Sequence, residues 1–122
     1  TYNVTLLQGS VPLDVKWARA LRERNYVIYD SLAQTVADSA TNLYIWPETS
    51  APCYVSHDAY CRQRLGGIAV RSNTPHLVGA LRAAPVDGEQ RHFNAAYQFG
   101  PDGRVTGEYS KIKLVPFSEQ AP

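Results

Sequence analysis

Two side chains in this 122-residue sequence combine a useful chemistry with a telling position. Glu48 follows Leu43-Tyr44-Ile45-Trp46-Pro47, where a run of β-forming apolar residues stops at a proline. That pattern predicts a buried strand that ends and hands a carboxylate to the carboxyl edge of a sheet, where open α/β sheets place their chemistry. Lys111 follows a second strand-like run, Val105 to Tyr109. A carboxylate at a strand end serves as a general base and a buried lysine stabilises an oxyanion, so the pair supplies two parts of an acyl-transfer site and leaves a nucleophile to be found. Singly, each has a plainer reading, because acidic residues often cap the element that follows and most lysines are solvated.

The remaining chemistry-bearing residues are few. Cys53, His57 and Cys61 form Cys-x3-His-x3-Cys, which is not a zinc spacing and has no evident fourth ligand, so neither a metal nor another cofactor is expected. An oxidising compartment would favour a Cys53–Cys61 disulfide; two free thiols are the other reading. The formal net charge is +1, and the basic residues Lys16, Arg19, Arg22, Arg24, Arg62 and Arg64 are scattered as on solvated helix surfaces, which argues against a nucleic-acid partner. There is no apolar run of membrane-spanning length and no signal-type opening, so the piece is expected to be soluble. It contains no methionine, and the expectation is that Thr1 begins a processed, cut or partial polypeptide.

The elements that must position Glu48 and Lys111 can be read in order. Asn3 to Leu7 predicts a first strand, closed by Gln8-Gly9. Asp14 is a good N-cap, and from there to about Ser39 apolar residues at Trp17, Leu21, Ile28, Leu32 and Val36 predict a long amphipathic helix lying on a sheet. With the Leu43 to Trp46 strand this makes a βαβ unit, whose crossover favours parallel pairing. A second helix is predicted over about His57 to Arg71, with Ala59, Leu65, Ile68 and Ala69 inward and Gly66-Gly67 weakening it. His76 to Leu81 is a third strand, Ala84 to Gln90 a polar loop with an Asp87-Gly88 turn signal, and His92 to Phe99 a half-exposed strand. Gly100 to Arg104 is a tight turn leading to the returning strand Val105 to Tyr109.

The blocks Trp46-Pro47-Glu48-Thr49 and Tyr109-Ser110-Lys111-Ile112-Lys113-Leu114-Val115-Pro116-Phe117-Ser118-Glu119 resemble the nitrilase (carbon–nitrogen hydrolase) superfamily, and within it most the apolipoprotein N-acyltransferase branch. Gln8-Gly9-Ser10-Val11-Pro12 with Lys16-Trp17, and Phe93-Asn94-Ala95-Ala96 with Pro101-Asp102-Gly103-Arg104, match the same branch, so four blocks in order cover almost the whole chain. The resemblance implies an α/β fold, part of an αββα sandwich made of the βαβ unit, the second helix, the third strand and the hairpin. Helices would cover one face of the sheet, and in the family a second sheet meets the other. It also implies roles: Glu48 as the base that takes a thiol proton, Lys111 at the tetrahedral intermediate, Glu119 as a second glutamate of the site, and Trp17, Trp46 and Tyr109 in support.

The resemblance also has gaps. The family's nucleophilic cysteine stands on a strand beyond the Leu-Val-Pro-Phe-x-Glu loop, and this sequence stops at Pro122 before it; Cys53 and Cys61 lie in the wrong place to substitute. The expectation is therefore a domain truncated before its nucleophile and inactive as it stands. The implied substrates are a phospholipid donor and a lipoprotein acceptor at the periplasmic side of a bacterial inner membrane. The alternatives are half of a soluble amidase, or a stand-alone module whose open sheet edges favour a homodimer or domain swap.

Overall fold

The computed structural model describes residues 2–9, 19–35, 40–47, 50, 51 and 53–110, the side chains of 19–21 excepted. Strand β1 (Val4–Leu6) leads to helix α1 (Arg19–Thr35) and strand β2 (Leu43–Ile45), and β1 and β2 pair in parallel with Val4 beside Leu43 and Leu6 beside Ile45. Helix α2 (Ala59–Ser72) then crosses to β3 (His76–Val86), whose Leu77 stands beside Ile45 in a second parallel pairing. Strands β4 (Glu89–Phe99) and β5 (Val105–Ser110) complete an antiparallel meander, so the described sheet runs β1-β2-β3-β4-β5. This is the α/β arrangement expected from the residue pattern, with parallel pairing where helices intervene and antiparallel pairing where turns do.

Local chemistry fixes the boundaries. The Asp58 carboxylate accepts from the Cys61 amide at 3.0 Å and caps α2, and Asn73, left-handed at φ 50°, closes its other end on the Ala69 and Val70 carbonyls. Asp87 and Gly88 both have positive φ, 52° and 79°, which is what a two-residue hairpin turn needs. The polar loop expected over Ala84 to Gln90 is thereby corrected: only residues 87 and 88 turn, and the residues on either side pair in β3 and β4. The flanking residues Pro85, Val86, Glu89 and Gln90 are exposed, so their loop-like composition reports solvation and not a loop.

Both helices lie on one face of the sheet, and the core forms between them and the strands. Tyr44, Val78, Ala80, Ala95, Tyr97 and Phe99 face Tyr26, Tyr29, Ala33, Leu65, Ile68 and Ala69. In α1 the buried face is Asn25, Tyr26, Tyr29 and Ala33, whereas Ile28 and Leu32 of the expected stripe are half-buried. Aromatic rings are the reason: Tyr29 stacks on Trp46 with centroids 4.1 Å apart, and Tyr26 meets Tyr60 of α2 edge-on and lies under the Arg64 guanidinium. Trp17, Val36 and the Leu21 side chain lie outside the described residues. In α2, Leu65, Ile68 and Ala69 are buried as expected, but Ala59 is exposed and Cys61, two residues on, takes the inward position. Cys61 is inside because it forms a disulfide with Cys53, with Cα atoms 6.6 Å apart, which joins the segment after β2 to the first turn of α2. Glu23–Arg64 (3.0 Å) and Asp30–Arg71 (2.7 Å) tie the two helices at the surface, each pair contributing at most about 1 kcal/mol. Among the described residues no helix is long and apolar enough to cross a membrane.

Gly66 lets α2 come this close. A Cβ there would run into the carbonyl oxygen of Gly103 in the turn between β4 and β5, where Gly103 itself needs φ 84°. A glycine normally costs a helix about 1 kcal/mol relative to alanine, but here backbone contact reverses the sign. Gly66→Ala is expected to destabilise the chain by about 1–3 kcal/mol, read as a lower urea midpoint at unchanged slope. A midpoint at or above the parent's would show that α2 is free to move off the turn.

Candidate functional site

Strands β2, β3 and β5 point the same way, so Pro47 after β2 and Ser110 at the end of β5 both stand toward the carboxyl edge. The backbone on both sides of positions 48 and 49 is held to β3. The Trp46 amide donates to the Leu77 carbonyl at 2.8 Å and the Ala51 amide to the Gly79 carbonyl at 2.9 Å. The Ser50 hydroxyl reaches the same Gly79 oxygen at 3.3 Å, and the Ser50 amide donates to the Pro47 carbonyl at 3.2 Å, a bond that spans positions 48 and 49. From α1, the buried Asn25 side chain donates to the Ser50 carbonyl at 2.7 Å.

One row of the sheet links these anchors to β5. Gly79 stands beside Ala96, and Ala96 beside Tyr109. With strands about 4.8 Å apart, Tyr109 lies roughly 14 Å across the sheet from the 50–51 backbone. Gly79 and Ala96 project little between them, and a cavity of about 260 Å³ opens there, lined by Trp46, Leu77, Gly79, Asn94, Ala95, Ala96 and Tyr109. The end of β5 is held from the helix-covered face: Arg82 donates to the Ser110 hydroxyl at 3.0 Å and pairs with Glu108 at 3.1 Å, and the Tyr97 hydroxyl donates to Glu108 at 3.0 Å.

The end of β2 rests on a buried polar chain. The Trp46 indole N–H donates to Nδ1 of His76 at 2.9 Å, and because an indole can only donate, Nδ1 must be the unprotonated nitrogen. Nε2 then carries the proton and donates to the Ser72 hydroxyl at 2.8 Å, which donates in turn to the Ile68 or Ala69 carbonyl of α2. His76 is fully buried against the Tyr44 ring. Burial pushes its pKa down to about 4, with Asp30 on α1 partly opposing the shift. Tyr29, stacked on the other side of Trp46, accepts from the Gly9 amide at 3.2 Å and so ties the end of β1 to the same cluster.

Of the residues singled out in the sequence, Trp46 is buried at the end of β2 and Tyr109 is an exposed wall of the cavity. Glu48, Lys111, Glu119 and Trp17 lie outside the described residues, so the structure assembles the flanks of the first two and not their side chains. The sequence reading missed His76, Asn25, Ser50 and Arg82. A signal was present for His76: a histidine opening an apolar strand, and a tryptophan closing another, each need a polar partner once buried. Asn25 in mid-helix called for the same question.

The model of the carbon-nitrogen hydrolase family matches residues 4–122. The apolipoprotein N-acyltransferase of Geobacter metallireducens is 34% identical over 123 residues, covering 99% of this chain and 23% of that protein. The one from Methylococcus capsulatus is 34% identical over 121 residues, covering 98% of this chain and 22% of that protein. The chain thus spans less than a quarter of the length of these relatives. Among solved structures, the carbon-nitrogen hydrolase from Helicobacter pylori G27 superposes with a TM-score of 0.70 at 15% identity, covering 94% of this chain and 41% of that one. A likeness at that identity bears on the fold, and it matches the partial sandwich expected from the sequence.

The neutral histidine has a measurable consequence. Below pH 6.5 the unfolded chain binds a proton at this position that the folded chain refuses until about pH 4, so stability rises with pH across that window. As pH falls from 6.5 toward 4, the chain is expected to lose on the order of 3 kcal/mol from this group. Urea unfolding at several pH values, compared with His76→Gln, checks this; equal pH slopes in the two proteins would contradict it.

Proposed function

The chain belongs to the carbon–nitrogen hydrolase family, and on that premise we propose that it supplies the base and oxyanion side of an N-acyltransferase site. The reaction moves a fatty acyl group from a phospholipid to the amino-terminal amine of a lipoprotein through a cysteine thioester, at the periplasmic face of a bacterial inner membrane. The relatives at 34% identity support the acyltransferase reading over an amidase.

Glu48 takes the proton of the nucleophilic thiol, and the thiolate forms a carbon–sulfur bond at the ester carbonyl. The ammonium of Lys111 stabilises the oxyanion of the tetrahedral intermediate. Collapse expels the lysophospholipid alkoxide, which takes the proton back from Glu48. The acceptor amine then attacks the thioester and gives a proton to Glu48, and the new tetrahedral intermediate breaks its carbon–sulfur bond to leave the amide and the cysteine thiolate, which recovers that proton. By the same resemblance Glu119 acts as a second glutamate of the reaction and Trp17 supports it. The observation that carries the reading is the single row from the anchored 50–51 backbone through Gly79 and Ala96 to Tyr109. It sets the flanks of Glu48 and of Lys111 around one cavity floored by small residues.

The nucleophile is not among these residues, because Cys53 and Cys61 are joined to each other. Two outcomes follow. A polypeptide of these 122 residues, given phospholipid, is expected to form no acyl-enzyme detectable by intact mass. In the complete natural polypeptide that contains them, Glu48→Gln is expected to lower kcat for acyl transfer by about 10²–10⁴-fold. Parent-level turnover by Glu48→Gln, or a mass increment of one fatty acyl group on the 122-residue polypeptide, would refute the assignment.

A further inference from the structure

We propose that His76 is a positioning residue for Glu48, acting through the indole of Trp46; the inference rests on the assignment of Glu48 as the base. Trp46 is the last buried side chain before position 48, only 4% exposed, and its main-chain amide is already held by Leu77. Its ring plane is set by the stack on Tyr29, which leaves one freedom, a slide or turn within that plane. The hydrogen bond to His76 removes it. No apolar residue at position 76 can do so, since the indole N–H would be left buried without an acceptor and would gain by turning toward another.

The choice of histidine is informative because packing alone does not require it. Position 76 is fully buried between the Tyr44 ring and the Trp46 edge, where an aromatic or aliphatic side chain would fill space with no polar demand. What histidine adds is direction at both ends: Nδ1 receives Trp46 from β2, and Nε2 is anchored on Ser72, itself fastened to the α2 backbone. The position of α2 is therefore transmitted through β3 to the end of β2. General-base catalysis is sensitive to such transmission, since a displacement of about 1 Å can lower a rate by about a hundredfold.

The test uses the complete natural polypeptide, with phospholipid and a lipoprotein-type amine as substrates. His76→Phe is expected to lower kcat about 10–100-fold while KM stays within about threefold, because the base is displaced and substrate contacts are not. His76→Asn offers an oxygen acceptor near the place of Nδ1 and is expected to return kcat to within about threefold of the parent. Trp46→Phe should match His76→Phe, and the double variant should be no worse than the poorer single. The indole N–H resonance of Trp46 reports the bond directly, shifting in His76→Phe and returning in His76→Asn. If His76→Phe does not fold, His76→Asn and Trp46→Phe carry the test, active and impaired respectively. Parent-like kcat in both His76→Phe and Trp46→Phe, or equal impairment of His76→Phe and His76→Asn, overturns the proposal. Glu48→Gln separates the two failures: if it is inactive while His76→Phe is normal, only the positioning role falls, and if it is fully active the base assignment falls and this inference with it.

Discussion

The hydrogen bond between the Trp46 indole and His76 is the constraint on which the packing of the helices on the sheet depends. It places two polar groups in the core beside the rings of Tyr29 and Tyr44, where the indole N–H and the His76 Nδ1 would each be costly alone and each satisfies the other. Satisfying both fixes β2 against β3, the Tyr29 ring of α1 against Trp46, and, through Ser72, the last turn of α2 against the start of β3. Hydrophobic burial alone would tolerate small slides between these elements. A directional chain from one helix through two strands to the other does not.

The sheet faces differ in kind. The helix-covered face carries Tyr44, Val78, Tyr97 and Phe99, and the two helices close over it with a glycine against a carbonyl at the crossing of α2 and the last turn. The opposite face carries Val4, Leu6 and Tyr109, all substantially exposed, Leu6 at 73%. In the parallel part both faces are apolar, because β2 is apolar at consecutive positions, Leu43-Tyr44-Ile45, and β1 turns Val4 and Leu6 to the uncovered side. In the antiparallel part the alternation is cleaner, and the far face at Asn94 and Gln98 is polar. The cavity sits where these two regimes meet.

Elements whose formation depends on near neighbours in sequence were legible. The β-branched runs, the Asp87-Gly88 turn and the parallel crossover all follow from local pattern, and so does the class of fold. The register of α1 is not legible, because the apolar stripe through Ile28 and Leu32 marks one face while tyrosines fill the space over β2. The ends of β3 and β4 were missed for a related reason: beyond the helices the hairpin is solvated on both faces, so its residues look like loop although every backbone pair continues. At the site, residue type marked Glu48 and Lys111, but the partners that hold their flanks are distant in sequence. Asn25 meets Ser50 and Arg82 meets Ser110, and only the folded chain says so.

Gly79 and Ala96 face each other at the centre of the sheet, where larger side chains would bury more apolar surface, at about 0.8 kcal/mol for each methylene. Stability alone would fill this place. Leaving it open admits the backbone of residues 50 and 51 close to β3, where the Gly79 carbonyl serves both the Ala51 amide and the Ser50 hydroxyl, and leaves a hollow between β2 and β5. The shape of the hollow is thus set by main-chain pairing and by what is missing from two Cα positions.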